Sequence, residues 1–248
     1  MGDVHGDLNS FKNAVEWSIA RNHFIIQLGD ILDYGPYNLG CVDLLYDRIV
    51  RGAAISVVGN HERKIERWLD ESKKFKSNPE TFNNKQKIKL SDGNLVTVNQ
   101  IESLTLEERQ KFEAKFRTIL GTARYHWNVQ NTMFVHGACE PEMFTINSHR
   151  VMGKFETYAI YGEVDTSIPK NANGYPNRIY SWVDRIPFGY TVFVGHDIRS
   201  TDRPMIVNGL NGGQVIFMDT GCGKSGKLTT ADITFTNKGL KIQNFNCH

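Results

Sequence analysis

The sequence predicts an α/β fold with a layered sheet, and three observations carry that prediction. Short β-branched or apolar runs recur along the chain, and each closes in a polar, glycine-containing turn. Helix-spaced apolar patterns lie between those runs. Strands alternating with helices bury their apolar faces by stacking helices on a sheet. The length of 248 residues suits one large domain, and 40% hydrophobic with 23% charged residues is the balance of an ordinary globular chain.

The elements follow in order. Leu8 to Arg21 spaces Phe11, Val15 and Ile19 as one helical face. HFIIQLGD (His23 to Asp30) reads as a buried strand, and Leu39 to Val50 repeats Val42, Leu45, Tyr46 and Ile49 at helical spacing. AAISVVGNH (Ala53 to His61) is a second strand, from whose GNHE turn a helix continues over Arg63 to Leu69. The charge-rich stretch from Glu71 to Gln100 breaks the rhythm with the turn signals Asn78-Pro79, Asn83-Asn84 and Asp92-Gly93. Within it, Leu90 to Val98 fits a small hairpin around Asp92-Gly93. Leu106 to Leu120 is helical, following Thr105, with Glu107 and Glu108 in the first turn where the dipole favours acids. TMFVHG (Thr132 to Gly137), TVFVGHD (Thr191 to Asp197) and VIFMDTG (Val215 to Gly221) are further strands. The chain thus reads as one domain over 1–248, with 71–120 an insertion or cap. The loop-rich Glu163 to Asn177, holding Pro169, Gly174 and Pro176, reads as a lid or rim.

Composition excludes several classes. A formal net charge of +2 does not suit a protein that coats nucleic acid. No run of about 18 apolar residues occurs, so no membrane span is expected. The N-terminus lacks the basic, apolar, small-residue succession of a secretory signal. Cys41, Cys139, Cys222 and Cys247 are far apart and form no CxxC pair, a pattern expected of reduced thiols in a cytoplasm.

Chemistry-bearing residues cluster at the strand ends. GDVHG (Gly2 to Gly6) holds Asp3 and His5; QLGDILDYG (Gln27 to Gly35) holds Asp30 and Asp33. GNHE holds Asn60 and His61, VHG holds His136, and VGH holds His196. Loops at the carboxyl ends of strands in an open α/β sheet converge on one crevice. Their mixture of oxygen and imidazole donors suits divalent ions such as Mn, Fe or Zn better than a thiolate site does.

The order GDxHG, GDxxDxG, GNHE, HG, GH resembles that of the calcineurin-like metallophosphoesterases, in the branch of serine/threonine phosphoprotein phosphatases and symmetrical diadenosine tetraphosphate hydrolases. The later blocks AIYGEVD, NGYPNRIYSWVDR, VFVGHD and FMDTGCGKSGKLT look like those of bacterial polynucleotide kinase-phosphatase phosphatase modules and their tetraphosphatase relatives. The resemblance implies a layered α-β-β-α sandwich and two divalent ions, manganese first, with iron, zinc or nickel as alternatives. It implies that Asp3 and His5 bind one ion, Asp30 bridges, and Asn60, His136 and His196 complete the other. A hydroxide between the ions would attack phosphorus, His61 would act as general acid, and Asp33 would hold His61 charged and aimed.

The sequence departs from the family at two places. Tyr34 stands where the family motif carries a phosphate-clamping arginine, whose planar fork and charge tyrosine cannot supply. Arg63, Arg150 and Arg185 are the candidates to replace it. Asp197 replaces the usual threonine after His196, with no role assigned. Only Met1 precedes Gly2, so the family's leading strand is missing here or its place is filled by another segment. Ala231 to Thr236 and Gly239 to Phe245 are candidates for that place.

The expected activity is a metal-dependent phosphatase acting on a phosphoprotein, a nucleotide or polynucleotide phosphate end, or a dinucleoside polyphosphate. A catalytically weakened phosphatase-like binding protein and a phosphodiesterase or nuclease are the alternatives. The chain has no GxxxxGK[ST] loop, and Gly221-Cys222-Gly223-Lys224-Ser225 only mimics the end of one.

Overall fold

A computed structural model describes residues 1–77, 88–145, 153–172, 174 and 176–248. Its elements run α1 (Leu8–Ala20), β1 (Ile25–Gln27), α2 (Asn38–Val50), β2 (Ala54–Ser56), α3 (Asn60–Ser77), α4 (Asp92–Glu102) and α5 (Leu106–Thr122). There follow β3 (His126–Val129), β4 (Thr132–Val135), α6 (Glu156–Tyr161), β5 (Val164–Asp165), β6 (Asn177–Arg178) and β7 (Thr191–Val194). The chain closes with β8 (Met205–Asn208), β9 (Gln214–Phe217), β10 (Thr229–Thr236) and β11 (Gly239–Cys247). All five strands read from the sequence form, and so do the four helices, the third longer than its pattern because it starts within GNHE.

Two sheets face one another. In the first, β1 and β2 are parallel, with Ile25 opposite Ala54 and Gln27 opposite Ser56. Met1 to Asp3 threads beside β1: the Leu28 amide donates to the Met1 carbonyl at 3.1 Å, and the Gly2 amide donates to the Thr229 carbonyl at 3.0 Å. The place beneath Asp3 is therefore held by Met1 and Gly2, and the β10–β11 hairpin joins on their far side instead of replacing them. The second sheet has the order β3-β4-β7-β9-β8, its central three strands parallel and its edges antiparallel.

Period-two alternation assigns each side of this second sheet to a different layer. Phe134, Phe193, Ile216 and Met218, the last just beyond β9, point inward, where they meet Leu28 and Val57 from the ends of β1 and β2. The Phe134 and Phe193 rings stack there with centroids 5.3 Å apart. Their neighbours Met133, Val135, Val192, Val194, Val215 and Phe217 point outward, against Ile160 of α6 and against Trp182 and Val183 of a 3-10 turn. On the opposite flank α1 to α5 bury Phe11, Leu45, Ile65, Ile101 and Phe116 against β1 and β2. The result is the expected α-β-β-α stack, an α/β fold with a central mixed sheet.

One expectation is overturned. Leu90 to Val98 is not a hairpin: Asp92-Gly93 opens helix α4, with Ser91 and Asn94 forming a reciprocal capping box. An Asp-Gly pair has the same local freedom in the first turn of a helix as in a hairpin. Here Gly93, Thr97, Val98 and Ile101 repeat at helical spacing and bury one face, and that decides between the two. Thus 92–122, part of the stretch read as insertion or cap, packs into the helical layer. Asn78-Pro79 and Asn83-Asn84 lie outside the described residues. Among the described residues no helix is long and apolar enough to cross a membrane.

Phe193 is 2% exposed at the inter-sheet layer, whereas Thr105 only caps α5 through its bond from the Glu108 amide. Phe193→Ala should cost about 3–5 kcal/mol and Thr105→Ala about 1 kcal/mol in urea unfolding. Equal losses would contradict the placement of Phe193 in the inner layer.

Candidate metal centre and active-site cleft

The parallel strands deliver their following loops to one end of the sandwich. Asp30 and Asp33 follow β1, Asn60 and His61 follow β2, His136 follows β4, and His196 follows β7. Turning a side chain sharply inward at a strand end demands unusual backbone. His5, Asp30, Asp33, Tyr34 and His196 have φ values of 47°, 56°, 78°, 63° and 67°. Non-glycine residues rarely adopt this left-handed region, and such strain concentrates at functional sites. Two neighbouring glycines are required by contact: a Cβ on Gly59 would strike the carboxylates of Asp30 and Glu62, and one on Gly195 would strike Asp3.

Asp30 is the hub. Its Oδ2 lies 3.2 Å from His136 Nε2, 3.8 Å from His61 Nε2 and 3.9 Å from His5 Nε2. His5 Nε2 is also 3.8 Å from Asp3 Oδ2, and His136 Nε2 is 3.0 Å from Asn60 Oδ1. The His196 amide donates to Asp3 Oδ2 at 2.9 Å. All six residues expected as ligands are therefore brought together.

Carbonyl groups set the imidazole tautomers. His5 donates from Nδ1 to the Leu32 carbonyl at 2.9 Å, and His136 donates from Nδ1 to the Leu28 carbonyl at 2.7 Å. A carbonyl can only accept, so each Nδ1 carries a proton and each Nε2 faces the hub. His196 donates from Nε2 to the Tyr161 carbonyl at 3.1 Å, which frees its Nδ1.

The electrostatics call for a cation. Burial, then the charges of Asp219 and Asp30, push the Asp3 carboxyl well above the usual range. Burial raises Asp219 as well. Burial also opposes ionisation of Asp30, but the charges of His136 and His61 outweigh it and hold Asp30 well below the ordinary value. His5 and His196 are driven well below theirs, chiefly by burial, and so are neutral imidazoles fit to be ligands. Two buried atoms at this centre, His5 Nε2 and Asp219 Oδ2, have no hydrogen-bond partner. Asp3, His5 and Asp219 offer donors within 4.8 Å of one another, as do Asp30, His136 and His196. A buried set of carboxylates and neutral imidazoles with orphaned donor atoms fits divalent metal.

Beside this centre stands His61. Its Nδ1 lies 2.5 Å from Asp33 Oδ2, and the side chains of Asn94 and Thr97, both from α4, donate to the same carboxylate. Burial works against a charged His61, but Asp30 and the bond to Asp33 overcome it and raise its pKa. Glu62, next in the motif, is wholly internal: its carboxylate accepts from the amides of Asp30, Ile31 and Leu32 at 2.7, 2.8 and 3.3 Å. Burial, together with the charge of Asp30, brings its pKa to about 7.

A cleft of about 860 Å³ opens over Asp30, Asn60, His61 and His196. Arg63 and Arg185 do not line it. Arg63 pairs with Glu66 at 2.6 Å and Glu156 at 3.3 Å, and Arg185 lies 3.1 Å from both Glu140 and Glu163. Arg150 lies outside the described residues. The cations that do line the cleft are Lys64, Arg67, Lys89, Arg178 and Lys224. Lys224 Nζ rests 4.3 Å from the ring centroid of Tyr34, the residue at the clamp position. Asp197 accepts from the Tyr180 hydroxyl and lies 3.7 Å from Arg178 Nε, so it holds an arginine at the cleft.

Sequence reasoning missed Asp219, Glu62, Asn94, Thr97, Lys224 and Arg178 as parts of this site. Asp219 sits at the end of β9, a strand already recognised, and the rule that placed the other ligands at strand ends applied to it equally. Glu62 was visible within GNHE. Nothing local marks Asn94, Lys224 or Arg178, whose roles exist only across long sequence separations.

Residues 1–210 match the calcineurin-like phosphoesterase family. The chain is similar to the bis(5′-nucleosyl)-tetraphosphatase PrpE [asymmetrical] of Geobacillus sp. (strain WCH70), 24% identical across 92% of this chain and 87% of that protein. The protein of the same description from Halalkalibacterium halodurans is also 24% identical, with the same coverage. In fold it resembles a solved protein provisionally described as a diadenosine tetraphosphatase, with a TM-score of 0.54, 20% identity and coverage of 93% and 86% of the two chains. The two sequence relatives are described as asymmetrical tetraphosphatases, where the resemblance in the sequence pointed to the symmetrical hydrolases, and the solved structure shows the shared fold. With the motifs assembled at one cleft and the family matched over most of its length, the chain belongs to the calcineurin-like phosphoesterases, and it is a metal-dependent phosphatase.

Proposed function

We propose that this chain is a two-metal phosphohydrolase acting on a nucleotide-linked phosphate chain, a dinucleoside polyphosphate foremost. The observation that carries the reading is the meeting of Asp3, His5, Asn60, His136 and His196 around Asp30 at the floor of a cationic cleft. The tetraphosphatase description of the relatives supports the substrate class. Asp3 and His5 would hold one ion and Asn60, His136 and His196 the other, with Asp30 between them and manganese as the first candidate. When bound, such a pair supplies Lewis-acid polarisation of phosphoryl oxygens and a nucleophile derived from water at neutral pH.

The chain's own residues supply the remaining steps. His61, held through Nδ1 by Asp33, presents Nε2–H and gives its proton to the departing oxygen. Asn94 and Thr97 fix the Asp33 carboxylate so that the imidazole keeps one orientation. Lys224 and Arg178 take over the phosphate contacts that the family's clamp arginine makes. They enter from a loop after β9 and from β6 instead of from the β1 loop. Glu62 fixes the backbone of the Asp30 loop and thereby the hub's position.

Four outcomes are expected. His61→Asn should lower turnover of p-nitrophenyl phosphate with manganese by about 10²–10⁴-fold while metal content is retained; unchanged turnover would contradict its role as acid. Asp30→Asn should lose bound metal and Asp33→Asn should keep it, as read by elemental analysis of the purified variants; equal loss would undo the two assignments. Chelation should abolish turnover of diadenosine tetraphosphate and added manganese should restore it, whereas Lys224→Gln should raise KM about tenfold with metal content intact. A chelated sample that stays active would sink the two-metal reading.

A further inference from the structure

Helix α3 begins at Asn60, inside the metal centre, and runs outward along the cleft wall. Lys64 and Arg67 lie four and seven residues on, so they share one face of the helix with Asn60. One turn puts Lys64 roughly 6 Å along the axis from Asn60, and the next puts Arg67 roughly 10 Å along it. Lys89 lines the same wall from the chain just before α4. Arg67 and Lys89 are close enough to act on Lys64: burial lowers its pKa, the charge of Asp33 works against this, and the charges of Arg67 and Lys89 add to the lowering.

Their pairing differs from that of the surrounding cations. Arg63, on the next face of α3, is held by Glu66 and Glu156; Lys73 reaches Glu113 at 2.6 Å and Arg117 reaches Asp70 at 2.6 Å. Among the described residues no carboxylate lies within 4 Å of the charged atoms of Lys64, Arg67 or Lys89. Asp30, the one acid at the cleft, faces the histidines of the hub. Asp33 acts on Lys64 without pairing with it, so three like charges line one wall with no ion-paired acid among the described residues, and an anion at the same place is favoured. A single phosphate at the metal centre falls short by one to two helical turns.

We infer that the Lys64–Arg67 face of α3, with Lys89, is a subsite for the non-reacting phosphates of an oligophosphate chain whose reacting phosphate lies at the metal centre. This rests on the phosphohydrolase reading for the identity of the reacting end. It adds the residues that distinguish a long phosphate chain from a monoester: the chain leaves the metals along α3, and affinity grows with each phosphate that reaches a cation. Lys64 and Arg67 are thus specificity-determining residues and touch no reacting atom.

The test is calorimetric binding of inorganic tripolyphosphate and orthophosphate to the metal-loaded chain in moderate salt, with metal content measured on the same samples. Wild type should bind tripolyphosphate at least about tenfold tighter than orthophosphate. The double substitution Lys64→Gln with Arg67→Gln should erase most of that margin, and the charge-preserving pair Lys64→Arg with Arg67→Lys should keep it. Equal affinity of wild type for the two anions, or a margin that survives in the Gln variant, overturns the subsite. Thermal melting establishes that the variants are folded, and Lys89→Gln, on a different segment, should shrink the margin independently. If wild type shows the margin yet never hydrolyses p-nitrophenyl phosphate with manganese, the subsite stands and the phosphohydrolase reading falls.

Discussion

The structure is organised around a buried negative charge. The Asp30 carboxylate, 1% exposed, sits where the loops of both sheets meet, and its ionised form persists because imidazoles crowd it from three sides. A charge buried without partners is among the costliest features a fold can carry. Of the buried carboxyls Asp3, Asp30 and Asp219 in this region, only Asp30 is held below its ordinary pKa by the histidines. The remaining imbalance is what a divalent ion corrects. Metal binding and stability of this end of the sandwich are therefore expected to be linked.

That hub imposes geometry on what surrounds it. His5, Asp30, Asp33 and His196 hold left-handed backbone that only a well-packed framework can impose. The framework includes the Glu62 carboxylate, which receives consecutive amides from the Asp30 loop, and glycines at 59 and 195 where no side chain fits. Helix α4 does the corresponding work for His61. Asn94 and Thr97 bind Asp33, while Val98 and Ile101 anchor the helix in the core, so a segment outside the metal motifs determines how His61 is held.

Charge is distributed with a similar economy. The chain is nearly neutral at +2, yet five cations line one cleft while Arg63 and Arg185, outside it, are tied to acids. Exposed ion pairs contribute little to stability, so the pairing of Arg63 matters mainly because it removes that charge from the cleft. With tyrosine at the clamp position, positive charge returns to the same space from Lys224, which lies 190 residues further along the chain than Tyr34.

Most of the fold was legible in the sequence because strand and helix periods are local, and the ligand motifs were legible because each is a short glycine-flanked turn at a strand end. Phe11, Val15, the strand cores and the residues of GDVHG, GNHE, VHG and VGH needed nothing beyond their neighbours to be read. What lay beyond reach is everything decided by contact across the chain. Asp92-Gly93 became a helix start because Val98 and Ile101 found the helical layer. Asn94 became part of the acid's support because α4 docked beside Asp33. Arg63 and Arg185 were drawn to Glu156 and Glu163, while Lys224 and Arg178 reached the cleft. The sequence by itself determined the layered fold and most of the donor residues gathered at the strand ends, since period and turn chemistry are written within a few residues. Only the tertiary structure decided which cations line the cleft, because a long side chain's partner depends on which surfaces packing brings beside it.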